Sequence, residues 1–152
     1  NKPPFNTIAQ SMQASFAQGG VKVDLLPAAG SQVYARVRAK QHQAAIRLWI
    51  PDYFDAHSNA SAFAWNDGKS STVAGLNGWK IPELNKATLA AVAEPDPAKR
   101  LDLYKKMQEQ LQQSSPYVFV DQGKTQIVVR DNVKGYQQGL NADMVWYDRV
   151  TK

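Results

Sequence analysis

One stretch constrains the fold more than any other: Ala44-Ala45-Ile46-Arg47-Leu48-Trp49-Ile50-Pro51-Asp52-Tyr53-Phe54-Asp55. A mostly apolar run bounded by a turn signal reads as a buried strand. Pro51 breaks that run, and two acids separated by two aromatics follow it. Acids just past the end of such a strand stand where open α/β sheets hold their ligands. The stretch therefore presents Trp49, Asp52, Tyr53 and Asp55 at the mouth of a crevice.

The residues on either side supply the elements such a sheet needs. Phe5, Ile8, Ala9, Met12 and Phe16 recur at steps of three and four, which predicts an amphipathic helix over 5–19. Asn6 is its expected N-cap and Gly19-Gly20 its stop. Residues 21–26 alternate before Pro27 and read as a half-exposed strand. Ser31 starts a second helix that turns Val33, Tyr34 and Val37 inward, and Gln41-His42-Gln43 leads back into the opening strand. Helix, strand, helix, strand implies parallel pairing through helical crossovers. The expected class is thus α/β, a mixed sheet flanked by helices. A βαβ unit begins with a strand, so the expectation includes an upstream strand lost from this piece.

Residues 56–80 are polar and glycine-bearing and read as a long surface excursion, with Phe63, Trp65 and Trp79 in it. Pro82 suits the first turn of a helix reaching about Val92. Asp96-Pro97 starts another, with Leu101, Tyr104, Gln108 and Leu111 on one face, ended by Ser114-Ser115-Pro116. Residues 117–120 and 126–130 read as strands, and Val133-Lys134-Gly135-Tyr136 opens a tail.

Composition removes whole classes of chemistry. The chain has no cysteine, so disulfides and thiolate metal sites are excluded. Nothing approaches the ~20 continuous apolar residues of a membrane span. Asn1-Lys2-Pro3-Pro4-Phe5 lacks the pattern of a signal peptide, which fits a cytosolic protein or one whose targeting segment has been removed. The net charge of +5 is spread without a basic run interleaved with aromatics, so nucleic acid is set aside as a partner. With only His42 and His57, no zinc-binding histidine pair, nucleophile elbow or phosphate-cradling loop is present.

The compact polar cluster is Asp52, Asp55, His57 and Asn59. As hard-metal ligands these do not match a calcium loop, and Asp55 or Asn59 as a helix cap is more economical; no metal and no cofactor are expected. Three readings stand at this point. Asp52, between Trp49 and Tyr53, can anchor a cation such as an amino terminus, with aromatic walls excluding water. Asp52, Asp55 and His57 can instead serve an α/β hydrolase. A basic interaction module is the third.

The order of short motifs resembles the C-terminal part of periplasmic solute-binding proteins of the dipeptide/oligopeptide family, which serve ABC transporters. The likeness runs through Ile8-Ala9-Gln10-Ser11-Met12-Gln13, Val21-Lys22-Val23-Asp24-Leu25, the 49–55 stretch, Glu94-Pro95-Asp96-Pro97-Ala98-Lys99-Arg100 with Leu103-Tyr104, Ser115-Pro116-Tyr117, and Val133-Lys134-Gly135-Tyr136. The family often has proline after the second acid, where this chain has Ala56. The resemblance implies one lobe of a two-lobed receptor that closes by hinge motion. Residues 1–132 would form the second ligand-binding lobe, and 133–152 a segment returning toward a first lobe. It implies a non-enzymatic protein, periplasmic or extracellular, that passes a peptide or other small solute to a permease. Asp52 would pair with the peptide's amino terminus, beside Trp49 and Tyr53. A sheet edge left unpaired by the lost strand would favour dimerisation or strand exchange.

Overall fold

The computed structural model describes residues 3–114, 116–124, 126–139 and 144–152. Asn1, Lys2 and Ser115, named above, lie outside the described residues. Six α-helices follow in order: α1 (Phe5–Gln18), α2 (Gly30–Arg38), α3 (Ala56–Phe63), α4 (Val73–Leu76), α5 (Pro82–Ala93) and α6 (Pro97–Ser114). A 3-10 turn at Tyr147–Arg149 closes the chain.

The expected α/β architecture is overturned, because the described residues contain no sheet. Their only β pairing is two isolated antiparallel bridges, Lys134 with Thr151 and Gln138 with Val145. The four runs read as strands, 21–26, 44–50, 117–120 and 126–130, carry no ladder. Alternation and β-branching suit a segment to a pleated surface. A strand forms only when a neighbour accepts and donates its backbone hydrogen bonds, and none of these runs has one among the described residues. Several of their side chains stand accordingly in solvent: Leu48 is 67% exposed, Val118 77% and Val128 96%.

The core is helical and lies where local signals are strongest. Pro82 occupies the first turn of α5, where its missing N–H is harmless. Asp96 starts α6 by accepting from Ala98 N (2.9 Å) and Lys99 N (3.0 Å). The two helices pack on each other, joined by residues 94–96. Leu84 and Ala91 of α5 meet Tyr104, Met107 and Leu111 of α6, and α3 adds Ala60 and the adjoining Ala64. Thr88, also buried, returns its hydroxyl to Leu84 O at 2.8 Å, so the core carries no unpaired polar group there. Leu101, read onto one face of α6 with Tyr104 and Leu111, is exposed while those two are buried.

Residues 56–80, expected as a surface excursion, hold α3 and α4. Alanines at 60, 62, 64 and 74 are buried there. Small side chains give little hydrophobic signal in sequence but let helices approach closely. Asn66 ties this region together. Its amide nitrogen donates to Trp79 O and Ala74 O, its oxygen accepts from Gly68 N, and its backbone exchanges two hydrogen bonds with the Asn85 side chain. By contrast, α1 buries no residue and α2 buries only Val37. The expected caps also moved: Pro4 precedes α1 and Ala29 precedes α2, leaving Asn6 and Ser31 within the helices.

Candidate functional site

Asp55 fixes the end of the 44–55 stretch. It is the N-cap of α3, its carboxylate accepting from His57 N at 2.7 Å. Arg100, in the first turns of α6, donates to both carboxylate oxygens, Nη1 to Oδ2 at 2.9 Å and Nη2 to Oδ1 at 2.7 Å. This fork is the strong geometry for an arginine–carboxylate pair. The guanidinium also lies 5.0 Å from the Tyr104 ring centroid. The Arg100 hydrogen bonds, then the His57 amide, draw the Asp55 carboxyl down to about 2. Asp55 in turn pushes Arg100 further up, and burial raises the Tyr104 phenol.

Three residues earlier the chain opens onto a groove. It has a volume of about 350 Å³, and Trp49, Asp52 and Tyr53 line it together with Ser58, Ser61 and Ala62 of α3. Ser70, Ser71 and Thr72 complete it. Trp49 is oriented by its indole N–H, which donates to Asn59 Oδ1 at 3.0 Å. Its ring also meets Phe63 edge-on, centroids 5.5 Å apart. Phe63 in turn touches Tyr117 and Phe119, linking the groove to the core.

The 70–72 segment is equally held. Thr72 caps α4, accepting from Gly75 N at 3.1 Å and donating to Trp65 O at 3.0 Å. Asp67 accepts from the backbone N–H groups of Lys69 and Ser70, at 2.9 and 2.7 Å, and these draw its carboxyl down to about 2.

The structure thus brings Trp49, Asp52 and Tyr53 to one groove and takes the other members of the polar cluster elsewhere. Asp55 is committed to its cap and to Arg100, and Asn59 to Trp49. The His57 ring makes no hydrogen bond to either acid, so Asp52, Asp55 and His57 do not assemble an acid–base set among the described residues. No group of three or more acids and histidines there could hold a metal ion. The hydroxyls at 58, 61 and 70–72 and the Arg100 partnership were not legible in the sequence. A serine-rich loop carries no periodicity, and Arg100 is 45 residues from its partner.

Two proteins of Escherichia coli are similar to this chain. One, named a "probable D,D-dipeptide-binding periplasmic protein", is 27% identical over 140 residues, covering 90% of this chain and 26% of its own length. The other, named a dipeptide-binding protein, is 25% identical over 134 residues, covering 88% of this chain and 25% of its own length. The chain therefore spans about a quarter of the length of these curated relatives. No protein-family model matches it. Its distant relatives are, by name, binding proteins for small peptides, and among the described residues no helix is long and apolar enough to cross a membrane.

The Asp55 pairing has a signed pH consequence. Its folded-state pKa of about 2 lies below the ordinary 3.8. The stability it contributes is present above about pH 4 and is lost as pH falls through 2. Unfolding by urea should find Asp55→Asn less stable than the parent at pH 7 by up to about 1 kcal/mol, because asparagine keeps the cap and loses the ion pair with Arg100. That gap should close between pH 4 and 2; a constant gap over this range would contradict the assignment.

Proposed function

We propose that the chain is the ligand-contacting part of a solute-binding protein that captures a peptide or similar small solute for an ABC permease in the periplasm. Asp52 anchors the ligand's amino terminus, with Trp49 and Tyr53 as aromatic walls. Residues 1–132 carry the ligand surface, and 133–152 lead back toward the remainder of a longer protein. The observation that carries this reading is the groove itself. It is the size of a small-solute site, and among the described residues a carboxylate is the only ionic group that lines it. A charge-assisted hydrogen bond from an ammonium is stronger than a neutral one, and aromatic faces attract the same cation. The likeness to dipeptide-binding proteins supports the choice of ligand class.

The test is a titration of the ¹⁵N-labelled chain with alanyl-alanine at pH 7, read by amide shifts around the groove. Asp52→Asn should weaken binding at least tenfold, which is about 1.4 kcal/mol. Asp52 is exposed, so the helical circular dichroism should be unchanged. Equal affinity in parent and variant would refute the anchor.

A further inference from the structure

Residues 25–51 carry Arg36, Arg38, Lys40 and Arg47 and no acid. Two of these cations meet at one ring. The Arg38 guanidinium lies 4.5 Å from the Tyr34 ring centroid, and that of Arg47 lies 4.8 Å from it. Arg38 follows Tyr34 by four residues in α2, which puts both on one face of the helix. Arg47 arrives from the chain after α2, so two separate segments converge on the ring. The face of the ring attracts each guanidinium, and the C-terminal end of α2 also favours Arg38, its last residue.

The Tyr34 phenol completes the set. Its oxygen accepts from Arg38 Nη2 at 2.8 Å, which leaves the hydroxyl hydrogen to donate outward. Tyr34, Arg38 and Arg47 are all exposed, and neither guanidinium makes an ion pair among the described residues. Arg36 is two residues from Arg38 and so leaves α2 on another side. The convergence is therefore of two guanidiniums and one hydroxyl, which suits one small anion rather than a polyanion. Guanidinium forks match the oxygens of carboxylates and phosphates. One fork serves a carboxylate. A phosphate monoester, with close to two negative charges and three strong acceptor oxygens, can engage both forks and the hydroxyl.

We infer that Tyr34, Arg38 and Arg47 form a binding site for a phosphate group, free or as a small monoester. Both guanidiniums bond its oxygens, and its charge gives two mutually repelling cations a common partner. The Tyr34 hydroxyl donates a further hydrogen bond. None of the three residues lines the groove of Asp52, so the site stands independently of what that groove takes.

The ¹⁵N-labelled chain is titrated at pH 7.5 with inorganic phosphate, phenyl phosphate and acetate. Sodium chloride at about 0.15 M screens diffuse surface attraction. Saturable shifts at the 34–38 and 47 amides are expected with at least one phosphate, at a Kd of about 1 mM. Acetate should bind at least fivefold more weakly. Arg47→Gln should weaken phosphate binding at least fivefold, and Tyr34→Phe, which keeps the ring and loses the hydroxyl, about twofold. Lys105→Gln removes the same unit of charge from an exposed position on α6 and should change binding less than twofold. Saturation by phenyl phosphate alone supports the site and assigns it to esters; saturation by inorganic phosphate alone assigns it to the free anion. Acetate binding as tightly as phosphate overturns the inference. So does equal weakening by Arg47→Gln and Lys105→Gln, or the absence of saturable shifts with either phosphate up to about 20 mM.

Discussion

Replacing Leu84 by alanine is expected to lower the free energy of unfolding by about 3 kcal/mol. Leu84 is fully buried in α5, within the cluster formed by Tyr104, Met107 and Leu111 of α6 and the alanines 60, 64 and 91. Small residues contribute much of that cluster, so a few large side chains supply most of its volume. Truncation removes transfer energy and leaves a cavity that tightly packed helices cannot fully close. A domain of this size is stable by only about 5–15 kcal/mol, so the loss is a large fraction of the total. Leu89→Ala is the control. It lies on the same helix but is 56% exposed, and it should change stability by no more than about 0.5 kcal/mol. Urea unfolding followed by circular dichroism measures both. Similar effects from the two variants would mean that the α5–α6 contact is not the centre of the fold.

That contrast also shows which parts of the architecture could be read from sequence. The starts of α5 and α6 were legible because a proline in the first turn and a capping aspartate act within one helical turn. α1 was legible from its three- and four-residue apolar spacing. The strands were misread because their signal is one-sided. Runs such as Tyr117-Val118-Phe119-Val120 announce that they suit a sheet, while pairing depends on a second segment far away in sequence. No such partner lies among the described residues. The opposite error occurred at 56–80. There the polar surface of α3 and α4 hid helices whose burial runs through alanine, serine and glycine.

The site divides in the same way. Trp49, Asp52 and Tyr53 were singled out because a proline-terminated apolar run followed by aromatics and acids is a local pattern, and these three do share a groove. Asp55 as a cap was equally local, and its side chain does accept from His57 N. The fork from Arg100 was not visible, because ion pairing between residues so far apart leaves no spacing rule. Nor was the hydroxyl wall. Serines at 58, 61, 70 and 71 meet only after Asn66 and Asp67 have turned the chain back on α3.

The second large effect should come from Gly75→Ala, which tests whether that turned-back segment is held where the groove needs it. Gly75 is buried in α4, and a β-carbon there would overlap the carbonyl oxygen of Ser70 and lie 3.1 Å from Thr72 Oγ1. The carbonyl belongs to the backbone and cannot swing aside as a side chain would, so either the 70–72 loop or α4 must move. Overpacking of this kind costs about 1–3 kcal/mol. The gain from putting alanine in a helix, at most about 1 kcal/mol, offsets only part of it. A net loss near 1–2 kcal/mol is expected, together with faster amide hydrogen exchange at Gly75, whose N–H is bonded to Thr72. Because Ser70, Ser71 and Thr72 line the groove, the same variant should weaken alanyl-alanine binding severalfold while the α5–α6 amides stay protected. Gly30→Ala is the matched control, since nothing lies within 4 Å of its added carbon and neither stability nor binding should fall. A Gly75→Ala chain as stable as its parent, with unchanged exchange at Gly75, would show that the serine loop is not pressed against α4. The hydroxyl wall of the groove would then lose its support.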